Sequence, residues 1–238
     1  MISRREFVAL SGAAALASSY SWAADEFPAL LDHVILGCND LDRGIDFVEK
    51  RTGVRAAPGG SHPDRGTTNA LLSLGSRHYL EIMAPNPEAK NVQPWAVPQL
   101  NVLKGLTIPR LVTWAVHPGD METAAKKLRD AGIGFRGPFP GSRVRPDGRV
   151  LTWKTLNLAD DHHGVLPFLI EWAPDSVHPS SDAPAGCRIE RFTAADPDPR
   201  ELAKALQPMG IEMVVERASN SQLRAKISGP GGVLEVNS

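Results

Sequence analysis

Leu31-Asp32-His33-Val34-Ile35-Leu36-Gly37-Cys38 opens the stretch that decides the fold. Asp40-Leu41-Asp42-Arg43-Gly44-Ile45-Asp46-Phe47-Val48 carries it toward Gly53-Val54. Val34 to Cys38 form a short apolar strand. Leu41, Ile45 and Val48 then recur at helical spacing. Asp40 stands where an N-cap carboxylate accepts from the free amides of a first turn. Gly53 stands where the helix must turn, just before a β-branched residue that opens the next strand.

The same pattern occurs twice more. Asp120 precedes Met121, Ala124, Ala125 and Leu128, and Gly132-Ile133 follows. Asp198 precedes Leu202, Ala205 and Leu206, and Gly210-Ile211 follows; here Pro199 and Glu201 add a helix-start proline and a capping-box acid. The three glycines are 79 and 78 residues apart. Short apolar strands precede the second and third helices, at Leu111 to Val116 and Arg188 to Thr193. The final strand of each set reads Leu80-Glu81-Ile82, Ile170-Glu171-Trp172 and Leu234-Glu235-Val236. The unit is therefore strand, helix and three strands, written three times. It predicts an α+β fold of tandem βαβββ modules, two of them pairing into a curled sheet around a cleft. The first module spans 24–87, the second 110–179 and a third, degenerate one 187–238. A proline-rich linker fills 88–109.

Composition sets the outer bounds. The chain has 238 residues, 26 basic and 27 acidic side chains, and only 6% aromatic residues. No basic excess and few stacking rings argue against a nucleic-acid partner. The opening segment reads as an address: Ser3-Arg4-Arg5-Glu6-Phe7 fits a twin-arginine export pattern, Val8 to Ala17 is weakly apolar, and Ser21-Trp22-Ala23 offers a cleavage site. Residues 1–23 are thus expected to be a signal peptide that sends a folded protein to the periplasm or beyond, with no membrane anchor after it. Cys38 and Cys187 are expected to be two buried thiols, since a chain of this length needs no staple.

The first unit carries a closer likeness. Its opening strand is followed by Gly59-Gly60-Ser61-His62-Pro63, by Gly66-Thr67-Thr68-Asn69-Ala70-Leu71-Leu72-Ser73-Leu74-Gly75, and by Tyr79-Leu80-Glu81-Ile82. These residues resemble the glyoxalase-like domain family of the vicinal oxygen chelate superfamily. That superfamily includes glyoxalase I, extradiol dioxygenases and antibiotic-sequestering proteins such as those of bleomycin resistance. The resemblance implies a cleft between two paired units, with metal ligands from the first and last strand of each. On this chain those positions are His33, Glu81, Thr113 and Glu171. Thr113 departs from the pattern, because a neutral hydroxyl is a poor ligand. His33, Glu81 and Glu171 remain as the implied metal set, suited to Mn, Fe or Zn. Glu171 or Glu81 would act as the catalytic proton acceptor, and Thr113 would touch substrate.

The residues themselves leave two readings of this set open. Strand alternation puts His33 with Ile35 and Gly37 on the face away from the helix. Glu81 and Glu171 each interrupt an apolar strand, so each needs a cation, a proton or hydrogen-bond donors. A metal ion and a carboxylate hydrogen-bond network both supply that. His62, Arg65 and Asn69 lie in a polar hairpin and are expected to hold an anionic or carbonyl-bearing small molecule. Asp160-Asp161-His162-His163-Gly164 reads as a polar turn, and His178 as a side chain near the cleft. In the third unit Arg191 and Glu235 take the two ligand positions and suggest a salt bridge. That unit either covers a sheet edge or pairs across a homodimer. The function expected from all this is a metal-dependent lyase or isomerase acting on a small oxygen-rich molecule. The alternative is a metal-free exported protein that sequesters one.

Overall fold

The structure, a computed structural model, describes residues 26–238; the twin-arginine segment lies outside them. The first unit comprises β1 (Leu31–Gly37), α1 (Leu41–Thr52), β2 (Ala57–His62), β3 (Thr67–Ser73) and β4 (Tyr79–Pro85). Helix α2 (Val97–Gly105) follows, inside the stretch expected to be a linker. The second unit is β5 (Arg110–Val116), α3 (Met121–Asp130), β6 (Phe135–Val144), β7 (Val150–Leu158) and β8 (Phe168–Trp172). The third is β9 (Arg188–Asp196), α4 (Pro199–Leu206), β10 (Val215–Arg217), β11 (Gln222–Gly229) and β12 (Gly232–Asn237).

The helix boundaries are where the sequence puts them. Asp40 accepts from the Arg43 amide at 2.9 Å, Asp120 from the Thr123 amide at 2.7 Å, and Asp198 from the Arg200 amide at 3.2 Å. Gly53, Gly132 and Gly210 are left-handed, with φ of 76°, 72° and 71°. Cys38 and Cys187 are buried and unbonded, and burial pushes the Cys38 thiol up to about 12.

The first two units merge into one eight-stranded sheet in the order β2-β3-β4-β1-β5-β8-β7-β6. β1 runs antiparallel to β5 at its centre, and each first strand is parallel to the last strand of its own unit. The sheet curls until its two edge strands meet. A Cβ on Gly60 of β2 would lie 2.8 Å from the Val144 carbonyl of β6. One face of this half-barrel packs on helices and the other encloses the cleft. Helix α2 plugs part of that cleft, setting Leu103 and Leu106 against Ile35 and Met83. Gly37 makes room for the plug: a Cβ there would be 2.8 Å from Leu103 and 2.6 Å from Val112.

The third unit keeps the element order but not the pairing. Its sheet runs β10-β9-β11-β12, with β9 parallel to β10 and antiparallel to β11. Among the described residues its strands pair with no edge strand of the half-barrel. The unit lies against the helix-bearing side and shares one core with the first two units. Trp114 of β5 and Phe192 of β9 are both fully buried, their rings 5.0 Å apart and edge to face. The Trp114 indole also donates to the Val165 carbonyl at 2.8 Å. The expected Arg191–Glu235 bridge is not formed. Glu235 stands opposite Lys226, and Arg191 pairs with Glu26 at 2.9 Å and Glu216 at 3.0 Å. His162, in the polar turn before β8, reaches Asp196 at 2.9 Å and Ser221 at 3.0 Å, so this turn clamps the third unit.

Because one core spans all three units, Phe192→Ala is expected to cost about 3–5 kcal/mol. Urea unfolding of that variant should remain a single transition. Two separate transitions would show that the third unit folds independently.

Candidate functional site

Alternation along the strands decides what enters the cleft. β4 turns Leu80 and Ile82 into the helix-side core and Glu81 inward; β3 does the same with Ala70, Leu72 and Asn69. At the start of β1 the alternation breaks. Leu31 pairs with Val116 and His33 with Ala115, so Asp32 is the extra residue of a β-bulge. Its carboxylate therefore meets the ring of its own neighbour instead of the helix layer.

Asp32 is wholly buried and fully engaged. One oxygen accepts from His33 Nδ1 at 2.7 Å. The other accepts from the Trp172 indole and from His178 Nε2, each at 3.1 Å, while His117 Nδ1 lies 3.8 Å away. Burial would raise the Asp32 carboxyl, but the hydrogen bonds from His178 and His33 outweigh it and hold the carboxyl well below its usual range. An ionised carboxylate only accepts, so His33 must place its proton on Nδ1. Its Nε2 then faces Glu81 Oε2 across 3.7 Å.

Glu81 is held from the other side. Asn69 donates to its Oε1 at 2.5 Å, and Arg143 of β6 donates to the Asn69 oxygen at 3.1 Å across the seam between the sheet edges. Gly59 leaves space for that last bond: a Cβ there would sit 2.4 Å from both Arg143 and Asn69. Burial raises the Glu81 carboxyl, yet in the acid range where it titrates the protonated His62 and His33, with the Asn69 bond and Arg143, bring it below the ordinary value. His62 differs from its expected role. Burial pushes its imidazole down to about 4, so near neutral pH it is an uncharged ring bonded to Thr67 Oγ1 at 3.1 Å. Arg65 keeps its charge near Glu81 and stacks under the Trp95 ring at 5.3 Å.

Thus His33, Asn69 and Glu81 are brought together, with His62 and Arg65 beside them. Thr113 stands opposite Ile35 in the ladder and makes no hydrogen bond to His33 or Glu81 among the described residues. Glu171 is a correction. β8 sends Phe168, Ile170 and Trp172 into the cleft, so Glu171 points to the helix side. There its Oε2 accepts from the Met121 amide at 2.8 Å and caps α3. The repeated Leu/Ile-Glu pair is one residue out of phase between the two units.

With Glu171 turned away, the implied three-ligand set is not brought together. His33 and Glu81 are spaced for an ion, and Asp32 holds the far side of the ring as an outer carboxylate would. Among the described residues, however, no third His, Cys, Asp or Glu joins them to make a metal group. Asn69 turns its N–H toward Glu81, and Arg143 stands behind it. Two ligands backed by a guanidinium do not fit a divalent centre that needs three protein ligands or more. The side chains missed from sequence, Asp32, Arg143 and Trp172, left a single trace: an acid beside His33 in an otherwise apolar strand.

Two outcomes follow from this geometry. As pH falls from the ordinary histidine value of 6.5 toward 4, the unfolded chain protonates His62 while the folded chain does not. Stability should therefore drop by at most about 1.4 kcal/mol per pH unit, and His62→Gln should flatten that slope in urea titrations. Glu81, with its folded value lowered, adds a further loss below 4.5. Separately, Glu171→Ala should cost about 1 kcal/mol through the lost helix cap and leave ligand affinity in the cleft unchanged. A weakened ligand would return Glu171 to the site.

Comparison with known proteins agrees with the fold. The profile of the glyoxalase-like domain family matches residues 31–210. No curated protein matches the chain. A hypothetical protein from Staphylococcus aureus shares 15% identity and a TM-score of 0.58, covering 87% of this chain and 84% of its own. The methylmalonyl-CoA epimerase of Mycobacterium tuberculosis is 24% identical, with a TM-score of 0.45 over 65% of this chain and 95% of its own. That of Streptomyces coelicolor, in complex with 2-nitronate-propionyl-CoA, is 23% identical, with a TM-score of 0.42 over 62% and 96%. With two βαβββ units merged into a curled sheet and a matching profile over most of its length, the chain belongs to the glyoxalase-like domain family, in the vicinal oxygen chelate fold.

Proposed function

We propose that this protein is an isomerase- or lyase-type enzyme that moves a proton on a small oxygen-rich molecule inside the half-barrel, without a metal. One observation supports this above all: the buried line Asp32, His33, Glu81, with spacings of 2.7 and 3.7 Å. Asp32 fixes the ring tautomer and orientation, so His33 Nε2 presents a lone pair to the cleft. A proton taken from carbon onto Nε2 gives a cation that lies between two carboxylates. Glu81 is the second acceptor, kept ionised by its neighbours. Arg143 spends one of its five donors on Asn69 and has others for an oxyanion that develops on the substrate. Arg65 adds positive charge at the same end. The role expected for Glu171 passes to His33.

The opening segment supports action outside the cytoplasm, reached through twin-arginine export. The protein acts there on a small molecule, not on nucleic acid.

The test is exchange of carbon-bound protons for deuterium, followed by NMR over a panel of oxo acids and hydroxy-carbonyl compounds. The expected result is protein-dependent exchange that falls about 10²–10⁴-fold in His33→Gln. Adding or chelating divalent metal should leave the rate unchanged. Saturable binding with no exchange on any compound would replace the enzyme by a sequestering protein. Exchange abolished by a chelator would restore the metal.

A further inference from the structure

The two units do not contribute alike to the cleft. The first supplies Asn69, Glu81 and the His33–Asp32 pair. The second supplies mostly rings, and they join a continuous series. Trp153 lies 5.4 Å from Trp172, and Trp172 lies 5.6 Å from His178. His178 lies 5.6 Å from Tyr79, which stacks on His33 at 4.4 Å, and His33 meets Phe168 edge to face at 5.6 Å. The chain is poor in aromatic residues, yet four of them line this one face. Tyr79 and His33 are buried, whereas Trp153, Phe168 and Trp172 keep part of their surface open. Open ring surface thus lies next to the proton-transfer pair.

Charge fixes which end of a ligand goes where. Asp32 is already served by three donors. Glu81 has Arg143 behind Asn69, 3.1 Å from the Asn69 oxygen, and Arg65 nearby, while Asp182, the other acid near Arg143, is paired with Arg145 and Arg149, so the polar end has guanidinium charge for a ligand's acid. Guanidinium matches a carboxylate, and partly open rings match a planar body.

We infer that the cleft takes an aromatic carboxylate, its acid group at Arg143 and Arg65 and its ring against Trp153, Trp172 and Phe168. This rests on the reading above that the half-barrel interior is the ligand site. It is separable from that reading, because it concerns binding and not proton transfer.

The test is calorimetric titration of the full mature chain with phenylacetate, cyclohexylacetate and acetate, which share one head group. Phenylacetate should bind about 2–10-fold tighter than cyclohexylacetate, the margin a ring pair adds beyond buried area. Acetate should be weaker than both. Trp153→Leu, a ring with no hydrogen bond to the Asp32 cluster, should erase the phenyl preference, and Phe168→Leu should reduce it. Arg143→Gln should weaken all three acids together. His33→Gln should lose proton exchange and still prefer phenylacetate. Equal or tighter binding of cyclohexylacetate, or no binding of any acid, would overturn the aromatic assignment. Exchange on aliphatic oxo acids without a ring preference would overturn it too, while leaving the proton-transfer reading intact. A phenyl preference without exchange on any substrate would do the reverse.

Discussion

A carboxylate with no access to water must be satisfied completely or not be ionised, and Asp32 sets that constraint for this molecule. Its partners come from three places in the chain. His33 is its neighbour, Trp172 ends the last strand of the second unit, and His178 lies in the segment after it. The bonds from Trp172 and His178 form only once the two units have merged into one sheet. The carboxylate that orients the His33 ring is thus held in place from the second unit. Removing Asp32 would leave several donors aimed at a void, a loss that falls on structure and site together.

The helix layer shows a different economy of design. In a two-unit half-barrel the outward face of the helices meets water. Here the third unit covers that side, and Trp114 against Phe192 is the point where its sheet touches the large one. The third unit has lost the strand pairing of the other two while keeping their capped helix and closing glycine. Its task is burial. It adds core on the side away from the cleft and leaves the cleft's chemistry to the first two units.

What the sequence disclosed follows the range of the interactions involved. Capping aspartates and closing glycines act within a few residues, so Asp40, Asp120 and Asp198 marked their helices correctly. Alternation within a regular strand is also local, and it put His33 on the face away from the helix. Two features escaped for physical reasons. A bulge at Asp32 breaks the period of two, and no local pattern announces it. Arg143 reaches Asn69 only because the sheet curls until its edges meet, and a contact between strands 74 residues apart leaves no periodic trace. Glu171 shows the opposite error. A repeated Leu/Ile-Glu pair resembled a repeated site, but strands read in phase with their burial put Ile170, not Glu171, where Glu81 stands.

That one-residue slip explains the asymmetry of the cleft. Two units with identical inward faces would set acid against acid at the centre of the half-barrel, and a cation would be needed to hold them. With Glu171 turned out to cap α3, the second unit sends Phe168, Ile170 and Trp172 inward instead. No second acid then faces Glu81, and Glu81 is held by Asn69 with Arg143 behind it, at distances the structure already satisfies. The same turn of the strand that removes the third ligand builds the aromatic wall. The outward turn of Glu171 and the inward turn of the Phe168, Ile170 and Trp172 side chains are therefore one structural event, set by which of two adjacent residues faces the barrel.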